Sequence, residues 1–137
     1  MGRGPDRPVS GADRRRLLAA ARGARAAAYA PYSRFRVGAA VLSGDGRVFA
    51  GCNVENSSSA SSLCAEQAAV ARAVASGARE LRAVLVLTGA PAPVSPCGRC
   101  RQVLAEFGPD LEVLLEAARG RSSRTRLSVL LPHPFRR

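Results

Sequence analysis

Residues 63–67, "LCAEQ", set a thiol, Cys64, two positions ahead of a carboxylate, Glu66, at the start of an Ala-rich stretch. Further along, "PCGRC" places Cys97 and Cys100 three apart where a short helix is expected to begin. Both sulfurs of such a C-x-x-C can face one way, and the positive end of a helix favours their thiolate form. Alone, the pair reads equally as a redox couple or as half of a structural zinc site. The fourth cysteine, Cys52, does not stand at knuckle spacing from Cys64, so a closed four-thiolate site is not expected. If the helix starting at Cys64 lies beside the one starting at Cys97, three thiolates converge and leave one position open for water. That is the catalytic zinc arrangement, with Glu66 beside the metal without ligating it.

The elements that must bring these groups together follow from periodicity and turn chemistry. Ser10 is a possible cap for a helix over Asp13–Tyr29. The stretch "FRVGAAVLSGDGRVFAGCNVE" is two apolar runs joined by Gly44, Asp45 and Gly46, which predicts a β-hairpin. Residues 64–76 are expected to be helical, "LRAVLVLTG" a buried strand, Gly98–Phe107 a short helix and "LEVLLE" another strand. A final strand is expected around 127–130. The order α-β-β-α-β-α-β implies an α/β fold of three layers, a mixed sheet of about five strands flanked by helices.

The chain has 137 residues, which fits one domain spanning 1–137, with residues 1–10 as a flexible basic tail. The N-terminal stretch has no apolar signal-peptide core, and no run is long and apolar enough to cross a bilayer. A cytoplasmic protein without membrane association is therefore expected. The formal net charge of +11 invites a polyanionic partner, yet all 21 basic residues are Arg, which is the mark of a composition bias spread over the chain. The clusters "RRR" (14–16) and "RGRSSRTR" (119–126) stand out.

The combination Cys64-x-Glu66 with Pro96-Cys97-x-x-Cys100 is a zinc deaminase signature in its three-cysteine form. Together with "APYSRFRVGAAV" (30–41), "GCNVENSSSASSLCAEQAA" (51–69), "PVSPCGRCRQVL" (93–104) and "LLPHPF" (130–135), the chain resembles the cytidine deaminase family of the small, single-domain type. The resemblance implies that Cys64, Cys97 and Cys100 bind Zn2+ and that Glu66 shuttles protons. It implies that Asn53 and Glu55 hold the ribose hydroxyls, that Phe35 packs on the base, and that Ala65 also contacts substrate. It further implies a homotetramer acting in pyrimidine salvage, in which Phe135 reaches a neighbouring site.

Read one at a time, these residues are ordinary. A lone Cys64 is more often a small buried hydrophobe, a lone Glu66 a solvated helix residue, and Phe35 as readily plain core. Cys52 is read as core packing, and His133, the only histidine, is not needed by a site that three thiolates complete. The chain also departs from its relatives. Ser59 stands where many carry an aromatic, and Gln67 where many carry an Arg that offsets the thiolates, leaving Arg99 to compensate. The segment "SPCGRCRQVL" is similar to blasticidin S deaminases, which keeps a modified cytosine nucleoside as an alternative substrate. A polynucleotide deaminase and a non-catalytic, zinc-stabilised nucleic-acid-binding module are more distant readings. A diol-binding Glu55 would repel a 3′ phosphate, and the second reading leaves Glu66 without a role, so nucleic acid is not the expected partner.

Overall fold

The computed structural model describes residues 8–137, so positions 1–7 of the expected basic tail lie outside the described residues. From Val9 onward the chain is pinned. Val9 is buried and its N–H donates to Glu112 Oε1 at 3.0 Å. Ser10 then caps helix α1 (Gly11–Ala26) by accepting the Asp13 N–H at 3.1 Å, the bond that an N-cap hydroxyl is suited to make. The helix ends three residues before the predicted Tyr29, because Tyr29 leaves it to form a bridge with Val54.

The hairpin expected from its turn residues is present as β1 (Val37–Ser43) and β2 (Val48–Cys52), with Gly46 at φ 90°, a left-handed conformation that Gly adopts without strain. Helix α2 (Ala65–Ala75), strand β3 (Leu81–Thr88), helix α3 (Gly98–Phe107) and strand β4 (Glu112–Glu116) follow as read from the sequence. The last strand does not. β5 is the polar segment Ser122–Arg126, and the apolar residues expected to form a strand at 127–130 instead make one helical turn, α4 (Leu127–Leu130). The reason lies in packing: β5 is an edge strand with β4 as its one neighbour, and the helical turn drives Leu127 into the core, where it is fully buried.

The sheet order is β2-β1-β3-β4-β5, parallel between β3 and β4 and antiparallel elsewhere. Alternate residues of a strand face opposite sides, and here each side has its own core. Leu17 and Ala21 of α1 pack on Ala40, Leu42, Ala83, Leu85 and Leu114. On the other face Ala39, Val41, Val84, Val86, Val113 and Leu115 meet Ala69, Val70 and Ala73 of α2 and Leu104 of α3. The fold is thus the expected three-layer α/β arrangement. α2 lies very close to β2: a Cβ on Gly51 would stand 2.5 Å from Ala69 N. Among the described residues, no helix is long and apolar enough to cross a membrane.

Candidate metal centre and active site

α2 and α3 both begin at a cysteine. Cys64 and Cys97 are their N-cap residues, extended in backbone, with carbonyls accepting the first helical bonds from Ala68 N–H (3.1 Å) and Arg101 N–H (3.0 Å). Because the two helices lie side by side on one face of the sheet, their N-termini converge, and Cys100 in the first turn of α3 completes a cluster. The three sulfurs lie within 4.8 Å of one another, with Cys97 and Cys100 at 3.4 Å. All are free thiols. Four-coordinate zinc with Zn–S bonds of about 2.3 Å holds its sulfurs about 3.8 Å apart, so the donor set and its spacing fit that ion.

Burial grades across the cluster, from buried Cys100 through half-buried Cys64 to exposed Cys97. Desolvation pushes the Cys64 thiol up, and desolvation with the nearby Glu66 charge does the same to Cys100. At Cys97 desolvation acts in the same sense but is outweighed by hydrogen bonds from the Cys100 backbone and thiol and from Cys64, which leave it below the ordinary thiol value. Glu66, in the first turn of α2, is 6% exposed, and burial raises its pKa. A carboxyl so placed takes up a proton readily and has little water to lose it to.

Gln67 is buried beside it and points its Nε2 at Cys100 Sγ, 3.7 Å away. Arg99 is exposed on α3, and the neutral Gln67 amide is a group that faces a sulfur. Arg101 instead ties down the start of α3, its guanidinium donating to Pro96 O at 2.8 Å and to Leu130 O at 3.1 Å.

Cys64, Glu66 and Cys97 open onto a cavity of about 330 Å³, at the small end of ligand-binding clefts. Phe35, Asn53, Glu55 and Ala65 line the same cavity, so the structure gathers eight of the nine predicted site residues, counting Cys100 behind its wall. Asn53 and Glu55 are not strand residues, because β2 stops at Cys52 and Val54 bridges to Tyr29 and Leu63. Their side chains also hold the cavity's own wall. Asn53 accepts Val37 N–H at 2.9 Å and donates to Phe35 O at 2.8 Å. Glu55 accepts the Tyr32 and Ser33 N–H groups at 3.0 and 3.1 Å and bonds the Ser33 hydroxyl. That hydroxyl bond is the main influence holding the Glu55 carboxyl below the usual carboxylate value.

The ninth residue, Phe135, is not in this cavity. It is 74% exposed, and its backbone is clasped by Gln102, which accepts its N–H and donates to its carbonyl, both at 3.1 Å. His133 is exposed and Cys52 half-buried, both apart from the thiol cluster. Sequence reasoning did not single out Ser33, Thr88 or Ser95, which also line the cavity; the signal for Ser33 and Ser95 was membership of the motifs that carry Phe35 and Cys97, and Thr88 had none.

Residues 12–116 match the family model described as the cytidine and deoxycytidylate deaminase zinc-binding region. The chain is 44% identical over 124 residues to a cytidine deaminase of Sporosarcina psychrophila, covering 90% of this chain and 91% of that one. It is 48% identical over 112 residues to a cytidine deaminase of Mycobacterium tuberculosis, covering 82% and 81%. The crystal structure of cytidine deaminase from Burkholderia pseudomallei superposes with a TM-score of 0.84 at 47% identity, covering 88% of this chain and 98% of that one. The matched region contains both helix N-termini that bring the thiols and Glu66 together, and the folds coincide beyond it, so the chain belongs to the zinc-binding cytidine deaminase family.

Proposed function

We propose that this chain hydrolyses cytosine nucleosides, converting cytidine and deoxycytidine with water to uridine and deoxyuridine plus ammonia. The observation that carries the reading is one cavity lined by buried Glu66, beside three gathered thiols, and by Asn53 and Glu55. Cys64, Cys97 and Cys100 would hold the zinc, which when bound supplies a water acidic enough to attack near neutral pH. Glu66 takes one proton from the attacking water and gives it to ring N3, then takes the second from the hydroxyl now on C4 and passes it to the amino group, so that ammonia leaves as the C4 carbonyl forms. Its raised pKa suits it to hold that proton between transfers. Phe35 offers a face to the base. Ala65, the first residue of α2, has a backbone N–H with no partner inside the helix, available to a substrate oxygen. The Glu55 carboxylate, with Oε1 filled by the 32–33 amides and Oε2 taking the Ser33 hydroxyl, keeps a lone pair on Oε2 for a ribose hydroxyl.

The working unit in this reading is a single domain over 1–137 assembled as a homotetramer. Phe135 is exposed and outside its own chain's cavity, and Phe35 and Val94 leave an apolar rim 39% and 37% exposed, which a neighbour would cover. Four free thiols suit the reducing cytoplasm, and the role is pyrimidine salvage. Ser59 and Gln67 favour a second reading, deamination of a modified cytosine nucleoside. Ammonia release and the ultraviolet absorbance change across cytidine, deoxycytidine, modified cytosine nucleosides, CMP and short oligonucleotides separates these. Turnover of the two simple nucleosides is expected; turnover confined to a modified nucleoside supports the second reading, and turnover confined to oligonucleotides overturns both.

A further inference from the structure

Away from the thiol cluster, on the α1 side of the same sheet end, three arginines meet around Gly89. Arg119, inside the turn Ala118–Gly120, and Arg121, just after it, line a cavity of about 290 Å³ together with Gly89, Pro91 and Ala118. Arg25, in the last turn of α1, lies against Gly89: a Cβ there would stand 2.5 Å from its Nη2, so the absence of a side chain is what admits the guanidinium. Arg25 Nε is anchored on Arg36 O at 3.0 Å.

Among the described residues no carboxylate answers these charges, because the ion pairs engage Arg14, Arg16, Arg47, Arg124 and Arg126, not Arg25, Arg119 or Arg121. The acid nearest to Arg119 in sequence, Glu116, is buried and committed to Arg14. Like charges drawn round one concavity raise its potential and repel each other, and a multiply charged anion relieves both. Guanidinium forks match phosphate oxygens in a bidentate way that hydrated chloride cannot use.

We propose that the cavity lined by Arg119 and Arg121, with Arg25 against the Gly89 in its wall, binds a phosphate-class oxyanion carrying several charges, of the size of pyrophosphate. The site shares a loop with the catalytic wall. Ala118 N–H donates to Ala90 O at 2.9 Å, Ala90 N–H donates to Thr88 Oγ1 at 3.2 Å, and buried Thr88 lines the cavity that holds Glu66. The rival explanation is that these arginines are only part of an evenly spread solvating charge, in which case any two exposed arginines would serve as well.

Isothermal titration of the full-length, zinc-loaded protein with pyrophosphate at fixed ionic strength decides between them, with zinc content verified afterwards. Saturable binding of one pyrophosphate per chain is expected in the wild type and in Arg15→Gln/Arg72→Gln, which removes two exposed arginines elsewhere. In Arg119→Gln/Arg121→Gln affinity should fall about tenfold or more, since each lost fork removes charge-assisted bonds. Arg25→Gln should weaken binding too, and all three variants should melt near the wild type. Absence of saturable binding, or equal weakening in the two double variants, would overturn the proposal. So would tighter binding of a single-stranded oligonucleotide that both double variants lose to the same degree, the result for diffuse attraction to nucleic acid.

Discussion

Gly51→Ala adds a single methyl at a residue that does not line the substrate cavity, yet it should damage catalysis. The new Cβ would lie 2.5 Å from Ala69 N and 2.7 Å from the Ala68 Cβ, both on α2. To restore even a tight 3.4 Å contact, helix and strand must separate by roughly 0.9 Å, and a helix backbone cannot swing aside as a long side chain does. Overpacking of this kind costs about 1–3 kcal/mol. For a domain of this size that is a fall in Tm of roughly 4–12 °C. The same displacement carries Cys64 and Glu66, at the start of α2, away from Cys97 and Cys100, which α3 holds in place. A misplacement near 1 Å costs on the order of 100-fold in rate. The assay is thermal unfolding alongside kcat/KM for cytidine, with Gly23→Ala as control. Gly23 lies inside α1 with open space around its missing Cβ, so Ala there should stabilise by about 0.5–1 kcal/mol and leave turnover alone. A Gly51→Ala protein with wild-type Tm and kcat/KM would refute the argument that α2 is seated on a bare strand.

Cys64→Ser should lower zinc affinity by a large factor, as read by metal analysis against a competing chelator, because one of three converging thiolates becomes a poorer donor; unchanged affinity would remove Cys64 from the metal centre. The Glu55 pKa is lowered from 4.5, chiefly by the Ser33 hydroxyl, so its hold on the 32–33 loop is complete above 4.5 and is lost as pH falls through the lower folded-state value. Amide exchange at Tyr32 and Ser33 should accelerate over that acidic range in the wild type and show no such step in Glu55→Gln. Phe135→Ala should keep its zinc and raise KM for cytidine, with light scattering reporting a tetramer; a fully active monomer would contradict the inter-subunit role.

Much of this molecule was legible in the sequence because its signals are local. The Ser10 cap, the Gly44–Gly46 turn and the apolar run 83–87 within β3 each state their structure within a few residues. The C-terminal third was harder. "SSRTR" has the alternation of a strand but no apolar face, since β5 sits at a sheet edge, whereas "LSVL" looks like a strand and turns helical to bury Leu127. For the site, residue types and spacing pointed to the thiols and Glu66, but the convergence of two helix N-termini is a tertiary fact. The apolar runs predict a hairpin that carries on through "CNVE", but β2 stops at Cys52, short of Asn53 and Glu55. Instead each is fixed by hydrogen bonds to the backbone of the Tyr32–Val37 segment, a pairing across more than a dozen residues that periodicity does not report.

The central claim is that a metal held by the thiols and a proton carried by Glu66 act together but are separable. Glu66→Gln tests it most directly, because the amide keeps the shape of the buried side chain and removes its capacity to exchange protons at neutral pH. Zinc content and uridine formation should be measured on the same sample. One zinc per chain with turnover reduced by several powers of ten is the predicted result. Near-wild-type turnover in that variant, with zinc in place, would contradict the mechanism.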